Sequence, residues 1–429
     1  MQATKRKAAL QGVRVLDLTR VLAGPWCTQN LADLGADVIK VERPGSGDES
    51  RGWGPPFLRD EAGADTTESA YYLCANRNKR SIAVDIASSA GADLIRRLAK
   101  ESDVLVENFK VGGLQQYGLD YASLAALNPR LIYCSITGFG QAGPLAQLPG
   151  YDFMIQGLGG LMSITGEADG MPGGGPQKVG VAVTDLMTGM YATSGILAAL
   201  LERERSGLGQ HLDIALFDCQ LAMLANQAMN YLTSGVAPRR YGNAHPNVVP
   251  YQTFAASDGH LIVAVGNDAQ FRSLCKALDV PALAADVRFA TNTARSRNRA
   301  LLLETFTPIF RACDRDTWIG VLRAAGVPCG PINDIAQAFA TGQAAHREAA
   351  RRIAHPTAGF APTVASPLRL SDTPVQYRSA PPLLGEHTAV VLQNLLGLDG
   401  ETIDELVESG AVALAHTPRS QVRLRAVKG

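Results

Sequence analysis

The 429-residue sequence lacks net charge, because 40 lysines and arginines balance 40 aspartates and glutamates. A chain without a general positive field lacks the long-range attraction of non-specific nucleic-acid binding, so a small ligand held by local clusters is favoured. No apolar run approaches the ~18 residues that a membrane helix requires. Only three apolar residues follow Lys5, Arg6 and Lys7, too few for a secretory signal. We therefore expect a cytoplasmic protein with neither nucleic-acid nor membrane partners.

Paired cysteines and the familiar catalytic motifs are also missing. The seven cysteines are widely spread and form no C-x-x-C pair, which favours free thiols in a reducing compartment and gives no metal site. The sequence contains no Walker-type G-K-[ST], no G-x-S-x-G elbow and no H-E-x-x-H. The stretch Gly157–Met162 lacks the last glycine of G-x-G-x-x-G. Ser/His, metal and dinucleotide chemistry therefore have no support.

The sequence does contain an alternation of short β-type runs and helical segments. The predicted strands are Val13–Leu18, Val38–Glu42, Ser81–Ile86, Asp103–Phe109 and Arg130–Ile136, and the predicted helices between them are Trp26–Leu34 and Ala90–Ala99. Pro25 and Gly35 bound the first of these helices in the usual way. Such an alternation is typical of an α/β fold with a largely parallel sheet.

A polar, turn-rich segment, Ser234–Asn243, has the composition of a linker. Beyond it, two β-type runs flank the turn Ser257–Gly259, and three helical segments follow, which predicts a small α+β domain. The proline-rich stretch Pro356–Pro382 is expected to return over the first domain, and the helical end at 386–412 to dock there.

Positively charged residues lie at or near the ends of several predicted strands. They are Lys40, Arg43, Arg77, Lys79, Arg80 and Lys110. A ligand with several phosphates requires such convergence from separate loops at the carboxyl ends of parallel strands. Ordinary surface charges would give the same pattern.

Asp185 stands out among the carboxylates because it follows an apolar run, Lys178–Val183, that we predict to be a strand, and begins a predicted helix that reaches Arg205. A helix N-terminus stabilises an ionised carboxylate and lowers its pKa, so Asp185 would be a charged nucleophile at neutral pH. Capping the helix is among the commonest structural uses of an aspartate and is the interpretation that spacing alone favours. Both interpretations stay open at this point.

Five segments stand out for their exact residues and their order along the chain: Gly12–Pro25, Leu34–Asp48, Asn78–Ile82, Val106–Phe109 and Pro382–Thr388. They read GVRVLDLTRVLAGP, LGADVIKVERPGSGD, NKRSI, VENF and PLLGEHT. From about residue 12 to 412 the chain resembles the class III CoA-transferases, the family of formyl-CoA:oxalate CoA-transferase. The resemblance implies a Rossmann-like large domain built from both chain ends (1–233 and 356–429, with linkers), an inserted small α+β domain (241–340) and an interlocked homodimer.

The resemblance also implies roles for single residues. The family's nucleophile matches Asp185, in the segment VAVTDLMTG. The carboxylate of Asp185 would form first an aspartyl anhydride and then an aspartyl-CoA thioester, so no metal or redox cofactor is required. Lys110 is the alternative phosphate contact to Gln116, where relatives often carry an arginine. The positions that match CoA contacts are Val21, Leu22, Ala23, Arg43, Val84, Ile86, Asn108, Phe109, Tyr151 and Asp152.

Local departures narrow the expected substrates. Leu22 replaces a glutamine of the oxalate enzyme, and Tyr151 replaces the histidine that α-methylacyl-CoA racemases of the family use as an acid/base. The segments RGWGPPF and VPYQTF look most like the succinyl-CoA:glutarate branch. This similarity favours succinyl-CoA as the donor and a short dicarboxylate as the acceptor. A racemase-like enzyme and a non-catalytic CoA-binding relative are the alternatives.

Arg20 is the candidate reader of the acceptor's second carboxylate, because it precedes the turn that is expected to line the thiol end of CoA. The planar fork of an arginine binds a carboxylate with two hydrogen bonds. The competing interpretation pairs Arg20 with Asp17 or Glu42 for structure alone. Arg51 and Arg240 are the reserve candidates.

Overall fold

The computed structural model describes residues 8–415, so the parts 1–7 and 416–429 of the predicted large domain lie outside the described residues. The strands are β1 Arg14–Asp17, β2 Asp37–Glu42, β3 Phe57–Arg59, β4 Asp65–Ser69, β5 Lys79–Val84, β6 Val104–Glu107, β7 Ile132–Thr137, β8 His211–Ala215, β9 Tyr251–Ala255, β10 His260–Ala264, β11 Cys329–Pro331, β12 Ala350–His355, β13 Gly359–Val364 and β14 Val412–Ala413.

The α-helices follow the same chain order, and short 3-10 helices cover Glu49–Gly52, Gln115–Tyr117 and Pro281–Ala284. They are α1 Ala23–Asp33, α2 Ala70–Leu73, α3 Ser89–Lys100, α4 Tyr121–Leu127, α5 Asp152–Leu158, α6 Leu161–Ile164, α7 Val183–Ser206, α8 Leu216–Met223, α9 Ala225–Ser234, α10 Asp268–Ala277, α11 Asn292–Arg297, α12 Arg299–Phe310, α13 Arg315–Ala324, α14 Ile335–Ala340, α15 Gly342–His346, α16 Thr388–Leu396 and α17 Gly400–Glu408. In the described part of the chain, no helix has both the length and the apolar character needed to cross a membrane.

These elements form two compact units. Within the described residues, the first unit comprises 8–159, 180–228 and 346–415, and the second comprises 160–179 and 229–345. The second unit contains an antiparallel sheet in the order β11-β10-β9. Phe254 of this sheet stacks on Phe310 of α12, with ring centroids 4.3 Å apart, inside a core that the helices α10, α12 and α13 complete.

A seven-stranded sheet organises the first unit, in the order β14-β5-β2-β1-β6-β7-β8. All neighbours in it are parallel except β14, which runs antiparallel to β5. Successive residues of a strand point to opposite faces, so Val15 packs in the core on one face and Leu16 in the core on the other. Because both faces are buried, the strands are mostly apolar, and charged residues within them such as Lys40 and Lys79 are buried in ion pairs. The predicted α/β fold with a mainly parallel sheet is confirmed.

The predicted strand Lys178–Val183 is wrong. Residues 178–182 join no sheet, and α7 begins directly at Val183. A run of four or five apolar residues is too short for periodicity to distinguish a strand from a loop that enters a helix.

Helices α1 and α7 pack closely on one face of the sheet, and this contact positions the site. A Cβ atom on Gly189 of α7 would lie 2.6 Å from the carbonyl oxygen of Ala23, so only glycine permits this approach. Gly189 lies one turn after Asp185 on α7, and Ala23 is the first residue of α1. The start of α7 is thereby held beside the start of α1.

Candidate active site

A cleft of about 450 Å³ lies at the carboxyl ends of β1, β6 and β7. These three strands are parallel neighbours, so the loops that follow them meet at one edge of the sheet. The volume of the cleft is typical of a small-molecule site. The lining residues are Arg20, Val21, Leu22, Ala23, Glu49, Asn108, Phe109, Lys110, Val111, Ile136, Thr137, Gly138, Ala146, Gln147, Leu148, Pro149, Gly150, Tyr151, Asp185 and Leu216.

The two long walls of the cleft differ in how they are held. Asn108 holds the wall 19–23 with two side-chain hydrogen bonds. Its Oδ1 atom accepts the Arg20 N–H at 3.0 Å, and its side-chain NH₂ group donates to the Arg20 carbonyl at 2.8 Å. In the wall 146–150 the hydrogen bonds of the described structure are local backbone bonds, such as Leu148 N–H to Leu145 at 2.9 Å, and Gly150 packs so closely on Gly138 that a Cβ atom on Gly150 would lie 2.2 Å from the Gly138 Cα. Leu148 is half exposed. One wall is therefore fixed by side chains from another strand, and the other is a surface loop.

Asp185 brings a carboxylate to the cleft from the first turn of α7. The residue is only 8% exposed. Among residues 8–415, no N–H or O–H group donates a hydrogen bond to this carboxylate. A buried acceptor without a partner is costly to keep and is common at functional sites. The carboxylate is thus available to a ligand.

Asp152, not Asp185, caps α7. The Oδ1 atom of Asp152 accepts the Thr184 N–H at 2.8 Å and the Asp185 N–H at 3.4 Å. Its Oδ2 atom accepts from the Gln156 side chain at 2.8 Å. The residue at the N-cap position, Ala182, supplies no side-chain bond. The capping interpretation of Asp185 is therefore wrong, because a carboxylate from α5 already occupies the helix end.

The same arrangement reverses the expected electrostatics. Burial raises the pKa of Asp185 from 3.8 to about 7, and the neighbouring charge of Asp152 adds to this effect. We predicted a lowered pKa from the helix N-terminus. That prediction is wrong because the first-turn N–H groups donate to Asp152 and leave none for Asp185. Near pH 7, about half of the Asp185 carboxyl groups are ionised.

The residues predicted to contact CoA are spread along one edge of the sheet. Those that line the cleft are Val21, Leu22, Ala23, Asn108, Phe109 and Tyr151. Arg43, Val84 and Ile86 follow or end β2 and β5, further along the same edge, and lie outside the cleft lining. Asp152 is not part of the cleft lining, and its carboxylate accepts the Asp185 N–H. Lys110 lines the cleft, whereas the Gln116 side chain bonds to the Gly113 carbonyl in an exposed turn.

Most of the predicted cluster of positive residues serves the fold. Lys40 and Lys79 lie within strands and are fully buried in ion pairs with Asp48 and Asp17. Arg77 pairs with Asp33 and Arg80 with Asp37, and both precede or begin β5 at its amino end, far from the carboxyl edge. Of the predicted cluster, only Arg43 and Lys110 are exposed at this edge, and a phosphate site there stays a prediction.

Arg20 lines the cleft and forms an ion pair with Glu49 at 2.6 Å, and both residues are exposed to a similar degree. The predicted structural partners are otherwise engaged. Asp17 accepts from Thr19 and Lys79, and Glu42 binds Arg51. The predicted partners of Arg20 are therefore wrong, and a purely structural role would instead rest on its ion pair with Glu49.

The reserve candidates for reading a carboxylate are committed elsewhere. Arg51 is buried between Glu42 and Glu68 and lies over the ring of Tyr72, with its guanidinium carbon 3.8 Å from the centroid. Arg240 belongs to the second unit, where it bonds to Asp169 and to two backbone carbonyls.

One neighbour of Asp185 was not found from the sequence. Tyr71 of α2 has its pKa raised well above the ordinary value, first by burial and then by the charge of Asp185. Its ring meets that of Trp53 edge to face, with centroids 5.0 Å apart. The segment YYLC carries no motif that separates Tyr71 from an ordinary core tyrosine, so no signal in the sequence could have identified it.

The comparison with known families decides which family the chain belongs to. Residues 10–388 match the profile described as CoA-transferase family III. The chain belongs to this family. The resemblance read from the sequence is confirmed.

Relatives of this CoA-transferase are similar over nearly the whole chain. The succinate–glutarate CoA-transferase of Agrobacterium fabrum is 50% identical over 91% of this chain and 96% of its own length. The human succinyl-CoA:glutarate CoA-transferase is 43% identical over 94% of this chain and 90% of its own length. A solved structure of a CAIB/BAIF family protein from Brucella suis is 51% identical, has a TM-score of 0.78, and covers 91% of this chain and 100% of its own.

Proposed function

We propose that this enzyme moves CoA from succinyl-CoA to glutarate or a similar short dicarboxylate, with Asp185 as the nucleophile. The observation that carries the assignment of Asp185 is its buried carboxylate, which faces the cleft without a hydrogen-bond partner in the described structure. The substrate pair is supported by the names and the 43–50% identity of the relatives described above.

The chemistry follows from the carboxylate. An Asp185 oxygen attacks the thioester carbon, the C–S bond breaks, and CoA leaves as the thiolate, which gives an aspartyl-succinyl anhydride. The thiolate then attacks the aspartyl carbonyl and releases succinate, which leaves an aspartyl-CoA thioester. A carboxylate of the acceptor attacks this thioester and again expels the thiolate. The thiolate finally attacks the acceptor's acyl carbon, so the acceptor leaves as its CoA ester and Asp185 is regenerated.

Burial of Asp185 favours this chemistry. A carboxylate that is poorly solvated is a stronger nucleophile than one in water, and its raised pKa keeps it close to the ionisation point at neutral pH. Arg20 lies in the same cleft, with its side chain partly exposed and its guanidinium bonded to Glu49. We assign to it the second carboxylate of the acceptor, in competition with Glu49.

The interlocked homodimer, the cytoplasmic location, the CoA contacts and the predicted domain division belong to the same proposal. The dimer is supported by apolar side chains that the first unit exposes: Phe153, Leu158 and Leu201 are 59%, 58% and 67% exposed. Contiguous apolar patches mark surfaces that another chain covers, and a dimer would bury side chains of this kind. The two compact units support a large domain built from both chain ends and a small domain between them, but 160–179 and 229–233 belong to the second unit and not to the predicted large domain.

A donor-by-acceptor matrix tests the function. Purified protein is incubated with succinyl-CoA and a panel of C2 to C6 acids, and the CoA esters are read by mass spectrometry. We expect the highest turnover with C4 to C6 dicarboxylates. Binding of CoA without turnover for any pair would select the non-catalytic alternative.

Trapping tests the nucleophile. Hydroxylamine added during turnover should convert Asp185 to its hydroxamate, and Asp185→Asn should abolish both labelling and turnover. Asp218 is the matched control, since it occupies the same third position in α8 but is exposed and outside the cleft lining. Labelling on Asp218, or activity in Asp185→Asn, would contradict the assignment.

A further inference from the structure

The turn that carries Arg20 and Leu22 into the cleft has an unusual backbone. Val21 adopts φ 71°, in the left-handed region that residues other than glycine seldom occupy. For a β-branched side chain this conformation is a true outlier, so the surrounding structure must enforce it. Valine, not glycine, occupies the positive-φ position of this turn, so other groups must hold the conformation.

Two buried charged side chains hold this turn. The carboxylate of Asp48 accepts the Val21 N–H, at 3.1 Å to Oδ1 and 3.3 Å to Oδ2. The ammonium of Lys40 donates to the Thr19 carbonyl at 2.9 Å and to Asp48 Oδ2 at 2.9 Å. Lys40 and Asp48 are 0% exposed. The polar backbone groups on both sides of Arg20 therefore bond to one ion pair.

The ion pair is itself fixed from several sides. Asp48 accepts the N–H and the hydroxyl of Ser50 at 3.0 and 2.7 Å, and its own N–H donates to Glu42 at 3.1 Å. Burial raises the pKa of Asp48, but Lys40 and Ser50 outweigh that effect and hold the pKa at about 2. The pair is therefore ionised at every pH at which the enzyme would work.

We propose that Lys40 and Asp48 are positioning residues: they hold Val21 in its left-handed conformation and so set the turn 19–22 against the CoA thioester beside Asp185. This inference rests on the proposed function. Neither residue lines the cleft, so each acts through the turn and not through the ligand. The contact between the Val21 N–H and Asp48 holds the strained conformation, and its effect on CoA binding can be measured separately from its effect on the stability of the fold.

The test uses glycine to remove the need for the contact. Glycine adopts positive φ without strain, so Val21→Gly should compensate for the loss of Asp48. We expect Asp48→Ala to lower CoA affinity, measured by titration calorimetry, and kcat/KM for succinyl-CoA by about ten-fold or more. Adding Val21→Gly should recover at least half of the loss on a logarithmic scale without restoring the melting temperature.

Asp33→Asn is the matched control. Asp33 is also 0% exposed and pairs with Arg77, but it lies at the far end of α1. We expect it to lower the melting temperature and leave the affinity for CoA unchanged. Should Asp48→Ala fail to fold, Lys40→Met/Asp48→Leu removes the same ion pair and the acceptor of the Val21 N–H without leaving a lone buried charge.

The outcomes separate the two proposals. Affinity that falls with Asp48 and is not recovered by Val21→Gly, or falls equally in Asp33→Asn, overturns the positioning role and leaves the transferase function intact. A wild-type enzyme that binds CoA but transfers it to no acceptor overturns the function, while recovery of CoA affinity by Val21→Gly would still support the positioning role.

Discussion

Asp185 should cost the folded protein stability at neutral and alkaline pH. Its pKa is raised from 3.8 to about 7, so between these values the folded chain keeps a proton that the unfolded chain has released. Unfolding therefore becomes easier as the pH rises through this window, and the full cost is present above pH 7. The shift corresponds to about 4 kcal/mol at pH 8.

Replacing the carboxylate with a neutral group of the same shape removes this cost. We expect Asp185→Asn to unfold at a higher temperature than the wild type at pH 8, and the difference to shrink steadily as the pH is lowered from 7 towards 4. Differential scanning calorimetry at several pH values measures the trend. Asp218→Asn, a change at an exposed aspartate at the same helix position, should give no such trend. An Asp185→Asn melting temperature that equals or falls below the wild-type value at pH 8 would refute the reasoning.

Three further predictions concern catalysis. The kcat/KM for succinyl-CoA should rise with pH to a plateau with a midpoint near 7, since the ionised form of Asp185 attacks; Asp152→Asn should move this midpoint to lower pH by removing a neighbouring charge, and an unmoved midpoint would contradict that. Arg20→Ala should raise KM for dicarboxylates by an amount equivalent to about 1.5–3 kcal/mol and affect monocarboxylates far less, while Glu49→Gln should lower KM for dicarboxylates; equal losses for both acceptor classes would assign Arg20 to CoA or to the fold. Because Tyr151 stands where a racemase has histidine, a 2-methylacyl-CoA in deuterated water should show no exchange of its α-proton by mass spectrometry, and rapid exchange would restore the racemase alternative.

Local patterns in the sequence were sufficient for the sheet and for the position of the nucleophile. The β-type runs and the boundary residues around α1 are local signals, and they predicted most parallel strands. β8 was missed because a five-residue strand between two helices has little periodicity of its own, and β14 because it has only two residues. Asp185 was identified through its motif rather than through spacing.

The electrostatics of the site could not be predicted in this way. The pKa of Asp185 depends on Asp152, which lies 33 positions earlier and takes the helix end that Asp185 was expected to use. Lys40 looked like a ligand for phosphate, but its place inside β2 turns it into the core, where Asp48 meets it. Such partners are chosen by the fold, and a strand-end charge has the same appearance in the sequence whichever way it points.

The two walls of the cleft are held to different degrees, and this difference bears on how the preference for the acceptor acid diverges among enzymes with this fold. The wall 19–23 is tied to Asn108 and to the α1–α7 contact at Gly189, so substitutions there disturb folding and chemistry together. The wall 146–150 is a largely exposed loop with local backbone hydrogen bonds, and it is anchored at Gly150 by close packing on Gly138. Mutations at the exposed positions 147–149 should change the shape of the cleft at little thermodynamic cost. Natural drift and laboratory selection should therefore both change the preference for the acceptor acid through the wall 146–150, while the wall 19–23, which carries Arg20, stays constant.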